Sequence, residues 1–331
     1  MKHHLIKKRL QRNPAALGLS ISAILLVALL MHVYILDRFT VILKDENLLK
    51  EFQTAIVNVL LAGYLVGAYY AVLGSTRNTI DELENTWRTE TDALSVGYAG
   101  KTGKRRLFII GLVGVLLAAI LNYLTIGSPW NWSIREPEIW WNHILGLFVG
   151  WWFAWFSIAV SDSTTYISKL TARIDSVDLL DQSPWSPLVK HGLLMALLTI
   201  GAVSISSLFL IDPKEWAGVI VVFGVCLPLA MVTFLLPVRG VHQRLSESKK
   251  LEIEWTRKRI RKSRSLLNNS APDVLPGQMA DLTAYLKLIE GVSVWPFQTP
   301  TVVRLLLYLL MPIATWIGNQ IIETALEQLF K

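Results

Sequence analysis

A chain of 331 residues in which 53% of side chains are apolar, 17% are charged and 13 are Trp is too apolar for a soluble protein of its size, and it points to a membrane. The formal charge of +7 is unevenly placed along it, and the single cysteine, Cys226, excludes an intrachain disulfide, a cysteine metal cluster and a redox pair.

Residues 1–14, MKHHLIKKRLQRNP, are a basic stretch followed by an apolar run at 15–36. That run is longer than a signal peptide's apolar region and ends in YILDRF without a small-residue cleavage site, so a retained first span is expected. Further runs long enough for a helix to cross about 30 Å of hydrocarbon occur at 53–73, 107–126, 144–160, 192–211, 217–236 and 301–322. The expectation is an all-α, polytopic helical membrane bundle of about seven spans, three hairpins plus a final span, with helical cytoplasmic extensions. It divides into a basic N-terminus (1–14), a six-span bundle (15–236), a basic helical cytoplasmic segment (237–300) and a final span with a short tail (301–331). The last run carries Asn319 and Gln320 near its end, and its alternative is a re-entrant segment.

In the second run Gly63, Gly67, Ala71 and Ser75 stand four apart, and in the fourth Gly146, Gly150 and Ala154 do the same. Small residues at this spacing share a helix face and let a neighbouring backbone approach, so both are expected to be packing faces inside one bundle rather than dimer contacts. Trp130, Trp132, Trp140, Trp141, Trp151, Trp152 and Trp155 crowd the third loop and the fourth run, and they read as an interfacial aromatic belt. The second helix of each hairpin is expected to run on beyond the hydrocarbon, through 72–87, 159–180 and 237–250, with an apolar residue after each exit at Ile80, Ile167 and Leu245.

Ionisable side chains within a bilayer mark function, and here they stand at the span ends: His32, Asp162, His191, Asp212 and Arg304. Asn58 and Asn122 are the mid-span polar groups, each explained by one interhelical hydrogen bond. A coupled transporter needs a midplane carboxylate or an unwound polar helix, and Pro228 and Pro312 come without charged company. Gly-Lys-Thr in SVGYAGKTGK (95–104) lacks the glycine five residues before Gly100 that a phosphate loop requires, because Ser95 is there. Asp175, Asp178 and Asp181 read as solvated carboxylates. No catalytic residue, cofactor site or metal site is assigned.

Residues 239–264 hold ten Lys/Arg against three Glu. Pro237 and Gly240 mark a bend or hinge where the chain leaves the hydrocarbon. Residues 241–267 read as helix, 268–277 as a turn and 278–290 as a second short helix, with Thr299 capping the last span and Pro300 at its first helical position. Ile253, Ile260 and Leu267 repeat every seven residues, but Arg257 and Arg264 occupy the second seam position, so a narrow apolar stripe packing on neighbouring helices is expected, not a coiled coil. Arg257, Lys258, Arg261, Lys262 and Arg264 are the candidate residues for anionic lipid headgroups or for a cytoplasmic protein partner. No nucleic-acid motif accompanies the charge.

Placing the N-terminus in the cytoplasm puts 26 of the 32 Lys/Arg on that side: five in 1–14, six in 74–106, three in 161–191 and twelve in 237–304. LPVRGVHQRLSESKKLEIE and, further on, VSVWPFQTPTVVRLLLYLLMPIATWIG resemble the C-terminal third of a group of prokaryotic multi-pass membrane proteins with no assigned activity. The resemblance supports this topology, implies no catalytic residues and leaves function open; the expected location is a bacterial inner membrane with the N-terminus in the cytoplasm. The functional expectation is a non-enzymatic membrane protein anchoring a helical cytoplasmic layer for partner binding or signalling, with a small-solute or ion transporter or channel as the alternative.

Overall fold

The computed structural model describes residues 13–86, 103–126, 136–171, 178–181, 183–209, 216–268, 277–296 and 299–329, and among them there are helices and turns but no strand. The helices are α1 (Pro14–Ile35), a single turn α2 (Phe39–Ile42), α3 (Glu46–Thr86), α4 (Lys104–Ile126), α5 (Pro137–Thr171), α6 (Ser186–Ser206), α7 (Trp216–Asn268), α8 (Gln278–Gly291) and α9 (Thr299–Leu329). Six of them are long and apolar enough to cross a membrane, and they carry the first five and the seventh apolar runs. The run 217–236 forms the start of α7, where most side chains fall outside the described residues. So do the side chains of Cys226, Pro237, Leu267, Thr299, Asn319 and Gln320, and the whole of Trp130, Trp132, Asp175, Asp212 and 95–102.

Local chemistry sets the helix ends. The Asn13 side chain accepts the Ala16 N–H at 3.4 Å with Pro14 in the first turn, so α1 begins where the basic stretch stops. It ends at Asp37, whose φ of 50° is the left-handed conformation that closes many helices. The Asp45 carboxylate caps the start of α3 through the Asn47 N–H at 2.9 Å. Asp178 and Asp181 accept the N–H of Leu180 (2.8 Å) and of Ser183 (2.9 Å) and so shape the approach to α6.

We call the end of the bundle where α1 begins the near end and the opposite one the far end. The three sequence hairpins pack as pairs: α1 on α3, α4 on α5 and α6 on α7. The bundle is organised around α3 and α5, which also pack on each other, and α9 lies against α6. The outermost helices keep apolar faces uncovered, with Phe108, Val113, Leu116, Leu117 and Leu121 of α4 and Leu306, Leu307 and Leu310 of α9 all exposed. A contiguous surface of this kind is unstable in water.

α3, with 41 residues, is about 60 Å long, twice the hydrocarbon thickness, and α5 and α7 also outrun it. Their surplus lies at the near end, where a separate core forms from Ile80 and Leu83 (α3), Ile167 and Leu170 (α5), Trp185 at the entry to α6, Leu188 (α6), Val241 and Leu245 (α7), and Ile289 (α8). Through Pro237 and Gly240, read from the sequence as a bend or hinge, α7 continues as one uninterrupted helix. Val238, Gly240 and Val241 are buried there, so neighbouring helices hold backbone that the proline deprives of one hydrogen bond. α9 is likewise continuous through Pro312 and does not turn back on itself.

The tryptophans depart from a single belt. Trp140 and Trp141 stand at the far end beside His32, with Trp141 Nε1 donating to His32 Nδ1 at 3.1 Å. Trp155 lies fourteen residues on, about 21 Å along α5, and donates to the Leu107 carbonyl at 2.9 Å near the start of α4. With Trp151 and Trp152 it belongs to an aromatic array that includes Tyr69, Tyr70 and Phe108. A helix rising 1.5 Å per residue cannot hold all five at one interface.

Candidate functional site

Gly63 and Gly67 of α3 face Gly18 of α1 at backbone contact: a Cβ on Gly63 would stand 2.5 Å from the Gly18 carbonyl oxygen, and one on Gly67 2.8 Å from that of Pro14. Gly150 faces Gly114 and Ala118 of α4 in the same way, while Gly146 makes room for the Asn122 side chain. These approaches draw α1 and α4 onto the central pair. Tyr64 does the equivalent for α6, donating its O–H to the Leu198 carbonyl at 2.7 Å over Gly201.

Two polar networks tie the bundle at its two ends. At the far end Asn142 of α5 accepts from Asn58 Nδ2 at 3.3 Å and donates to the Glu51 carbonyl at 2.9 Å and its carboxylate at 2.6 Å. Asn58 thus makes an interhelical bond, to a partner that stands at a span end. At the near end the ring of His191, buried on α6, has Ser75 Oγ of α3 2.9 Å from Nδ1 and Ser163 Oγ of α5 2.9 Å from Nε2. Thr76 Oγ1 lies 2.6 Å from Ser163 Oγ and 2.6 Å from the Val72 carbonyl.

The proton directions in this second network follow from donor arithmetic. A carbonyl only accepts, so the one Thr76 hydroxyl proton goes to Val72. Ser163 must then donate to Thr76, which leaves Nε2–H of His191 to donate to Ser163. Nδ1 is therefore the acceptor, and Ser75 donates to it. A hydroxyl donating to an imidazole held by a third group is the geometry of an activated nucleophile. Two things argue against that role. Ser75 lies inside α3, where backbone N–H groups are committed to the helix and cannot stabilise an oxyanion, and both sides of the histidine bridge separate helices. The network reads as a three-helix tie.

Between α1, α3 and α6 lies a cleft of about 950 Å³. Its apolar part is lined by Leu19, Leu60, Leu194, Leu198 and Tyr64, and its near end by Ser75, Asn78, Glu82, Lys190 and His191. Polar groups along the spans that a solute path could use, namely Asn58, Asn122, the cluster of Ser204, Ser206 and Ser207, and the backbone freed by Pro228, do not line it.

On α7 the five candidate basic residues are all exposed. Arg257 is engaged by Glu290 of α8 at 3.0 Å, and Arg261 Nε reaches the Arg257 carbonyl at 3.5 Å. Lys258, Lys262 and Arg264 point outward on the same length of helix. α8 is held on α7 by that ion pair, by Lys249 Nζ donating to the carbonyls of Glu290 and Val292 at 2.7 Å each, and by the Tyr285 O–H donating to Glu252 at 3.0 Å. His242 stacks on Trp295 with ring centroids 3.9 Å apart. The buried seam of α7 passes through Val238, Val241, Leu245, Thr256 and Ser263, with Ile253 partly covered. Of the heptad positions, Ile260 is half-buried and the Leu267 side chain lies outside the described residues.

No family model, curated protein or solved structure matches the chain. The site is therefore read from its own chemistry. Asn142, Glu51, Ser163, Thr76 and the cleft are not legible in the sequence, because each gains meaning only when helices distant along the chain meet. Ser75 was visible solely as a small residue in a packing stripe.

Proposed function

We propose that this chain is a non-enzymatic, multi-pass integral membrane protein of about seven spans in a bacterial inner membrane, with its N-terminus in the cytoplasm, whose bundle anchors a helical cytoplasmic layer that binds a partner or relays a signal. The observation that carries the reading is the near-end core. The extensions of α3, α5 and α7 meet there in one apolar cluster, and Ile80, Ile167 and Leu245, one from each exit, are all members. Three helices that converge beyond the hydrocarbon make a rigid platform, which a simple anchor would not need. The charge distribution supports the orientation, since 26 of the 32 basic residues fall on the platform's side.

An uninterrupted α7 weighs on what the basic face meets. Arg257 lies about 30 Å along the helix from Pro237, and attraction to anionic headgroups fades within a Debye length of about 8 Å. Lys258, Arg261, Lys262 and Arg264 are therefore better placed for an acidic surface of a cytoplasmic protein than for lipid. The rival reading, a small-solute or ion transporter or channel, has the cleft in its favour, but the polar groups of the far end are consumed in helix contacts.

The deciding experiment uses the full-length protein in liposomes and in native membranes. The expected result is no ion or solute flux above the protein-free leak, together with a cytoplasmic partner recovered by the intact chain and lost when 241–291 is deleted or when Lys258, Arg261, Lys262 and Arg264 are changed to Gln. Flux that is removed by Lys190→Gln or Tyr64→Phe in a folded protein would promote the transporter.

A further inference from the structure

The cleft between α1, α3 and α6 has the proportions and the polarity gradient of a membrane lipid. Its floor on α3 runs from Leu60 to Glu82, about 33 Å at 1.5 Å per residue. α1 and α6 form its walls, and α1 begins at Pro14, level with Gly67, so the stretch from Ser75 onward lies beyond the start of that wall. Leu19 and Leu60 on its rim are 72% and 38% exposed, which opens the apolar part sideways onto the outer surface of the bundle. In a bilayer such a space is filled by acyl chains, because nothing else there is apolar and mobile. The headgroup end is more selective. Lys190 and Asn78 are exposed at the mouth and, among the described residues, neither makes a hydrogen bond or ion pair. Glu82 stands seven residues, about 10 Å, past Ser75 along α3.

We propose that this cleft binds one ethanolamine glycerophospholipid, with its acyl chains between α1 and α6, its phosphate at Lys190 and Asn78, and its primary ammonium at Glu82. The order of charges decides the headgroup: a cation and an amide level with Ser75 suit the phosphodiester, and a carboxylate farther from the hydrocarbon suits a terminal cation. A carboxylate offers several acceptor positions, so Glu82 can take an ammonium N–H beside its existing contacts. A choline headgroup has no N–H to give. The inference rests on the chain being membrane-embedded, as proposed above.

The test takes the full-length chain, first washed in its membranes with alkaline carbonate, then purified in detergent and incubated with dioleoyl phosphatidylethanolamine or dioleoyl phosphatidylcholine. Native mass spectrometry reads the lipid retained per chain. One ethanolamine lipid should be retained, about fivefold more tightly than the choline lipid, the worth of roughly one exposed ion pair. Glu82→Gln should erase that preference, Lys190→Gln should weaken both lipids about fivefold, and Ala71→Phe, which fills the cleft, should remove both. Equal retention of the two lipids by the parent, or the parent's pattern persisting in Lys190→Gln and Ala71→Phe, overturns the proposal. If Ala71→Phe does not fold, the exposed Lys190→Gln still decides. Release of the chain by carbonate would sink the membrane reading itself, whereas a chain that stays in the membrane and retains no lipid sinks only this one.

Discussion

His191 receives one hydroxyl on each ring nitrogen, and the chain of donors from Thr76 leaves it a single arrangement, Nε2–H toward Ser163 and a bare Nδ1 toward Ser75. Nitrogen-15 spectra of histidine-labelled protein should therefore show the protonated nitrogen at Nε2; a protonated Nδ1 would break the donor chain. His191→Ala should destabilise the bundle by about 1–3 kcal/mol, because the buried Ser163 hydroxyl and the half-buried Ser75 hydroxyl lose their partner. A double-mutant cycle with Ser163→Ala should recover a coupling of about 1 kcal/mol. The glycines act at the same scale through backbone distance. Gly63→Ala pushes a methyl to 2.5 Å from the Gly18 carbonyl, and overpacking of this kind costs about 1–3 kcal/mol despite alanine's better helix propensity. Gly291→Ala, with nothing within 4 Å of the added methyl, is the control that should leave the unfolding midpoint in detergent unchanged or raised.

At the scale of elements, α8 depends on α7 through few contacts, and one of them titrates. Burial, then the hydrogen bond and the charge of Glu252, then the charge of Asp178, raise the Tyr285 phenol above its ordinary value of 10.0. A folded-state value above the unfolded one means that the contribution to docking is fully present below about pH 10. It is lost as pH rises through the raised value, when the phenolate faces Glu252. Protection against hydrogen exchange along 278–291, taken relative to the intrinsic base-catalysed rate at each pH, should hold up to that range and fall above it, and Tyr285→Phe should remove that fall; a loss of protection already at neutral pH would contradict the docking. The end of the long helix and the whole of the short one were legible because they follow from propensity and turn residues: ends at 267 and 278–290 are read from the sequence and Asn268 and Gln278–Gly291 are observed, whereas the start read at 241 is not a boundary, the helix running from Trp216. The seam was not legible. Thr256 and Ser263 are 1% and 6% exposed, and a search for apolar periodicity passes over buried hydroxyls that satisfy themselves on their own helix, as Thr256 does on the Glu252 carbonyl at 2.8 Å.

For the whole molecule, hydropathy carries the elements and pairing while the meeting of non-adjacent helices carries the sites, which is why the hairpins were foreseeable and the tie at His191 was not. The arrangement also makes topology a sharp test. The near end holds the start of α1, the extensions of α3, α5 and α7 and the basic face, and the far end holds His32, Glu51 and Trp141. A protein inserted with its near end in the cytoplasm obeys the bias of Lys and Arg; the opposite insertion would carry 26 basic residues across the bilayer. Single cysteines at Asn47, Ser128 and Lys331, introduced into a Cys226→Ala background, should react from outside with a membrane-impermeant thiol reagent, and one at Asn269 should react only after the membrane is opened. The Lys331 result depends on α9, which runs 31 residues without interruption, about 46 Å, and so is long enough to end on the far side. Labelling of Asn269 from outside would invert the molecule and move the platform, the basic face and the headgroup end of the cleft out of the cytoplasm together. Protection of Lys331 alone would instead mean that α9 lies along the interface, despite its continuous helix, and would reduce the spans to six without disturbing the near-end core.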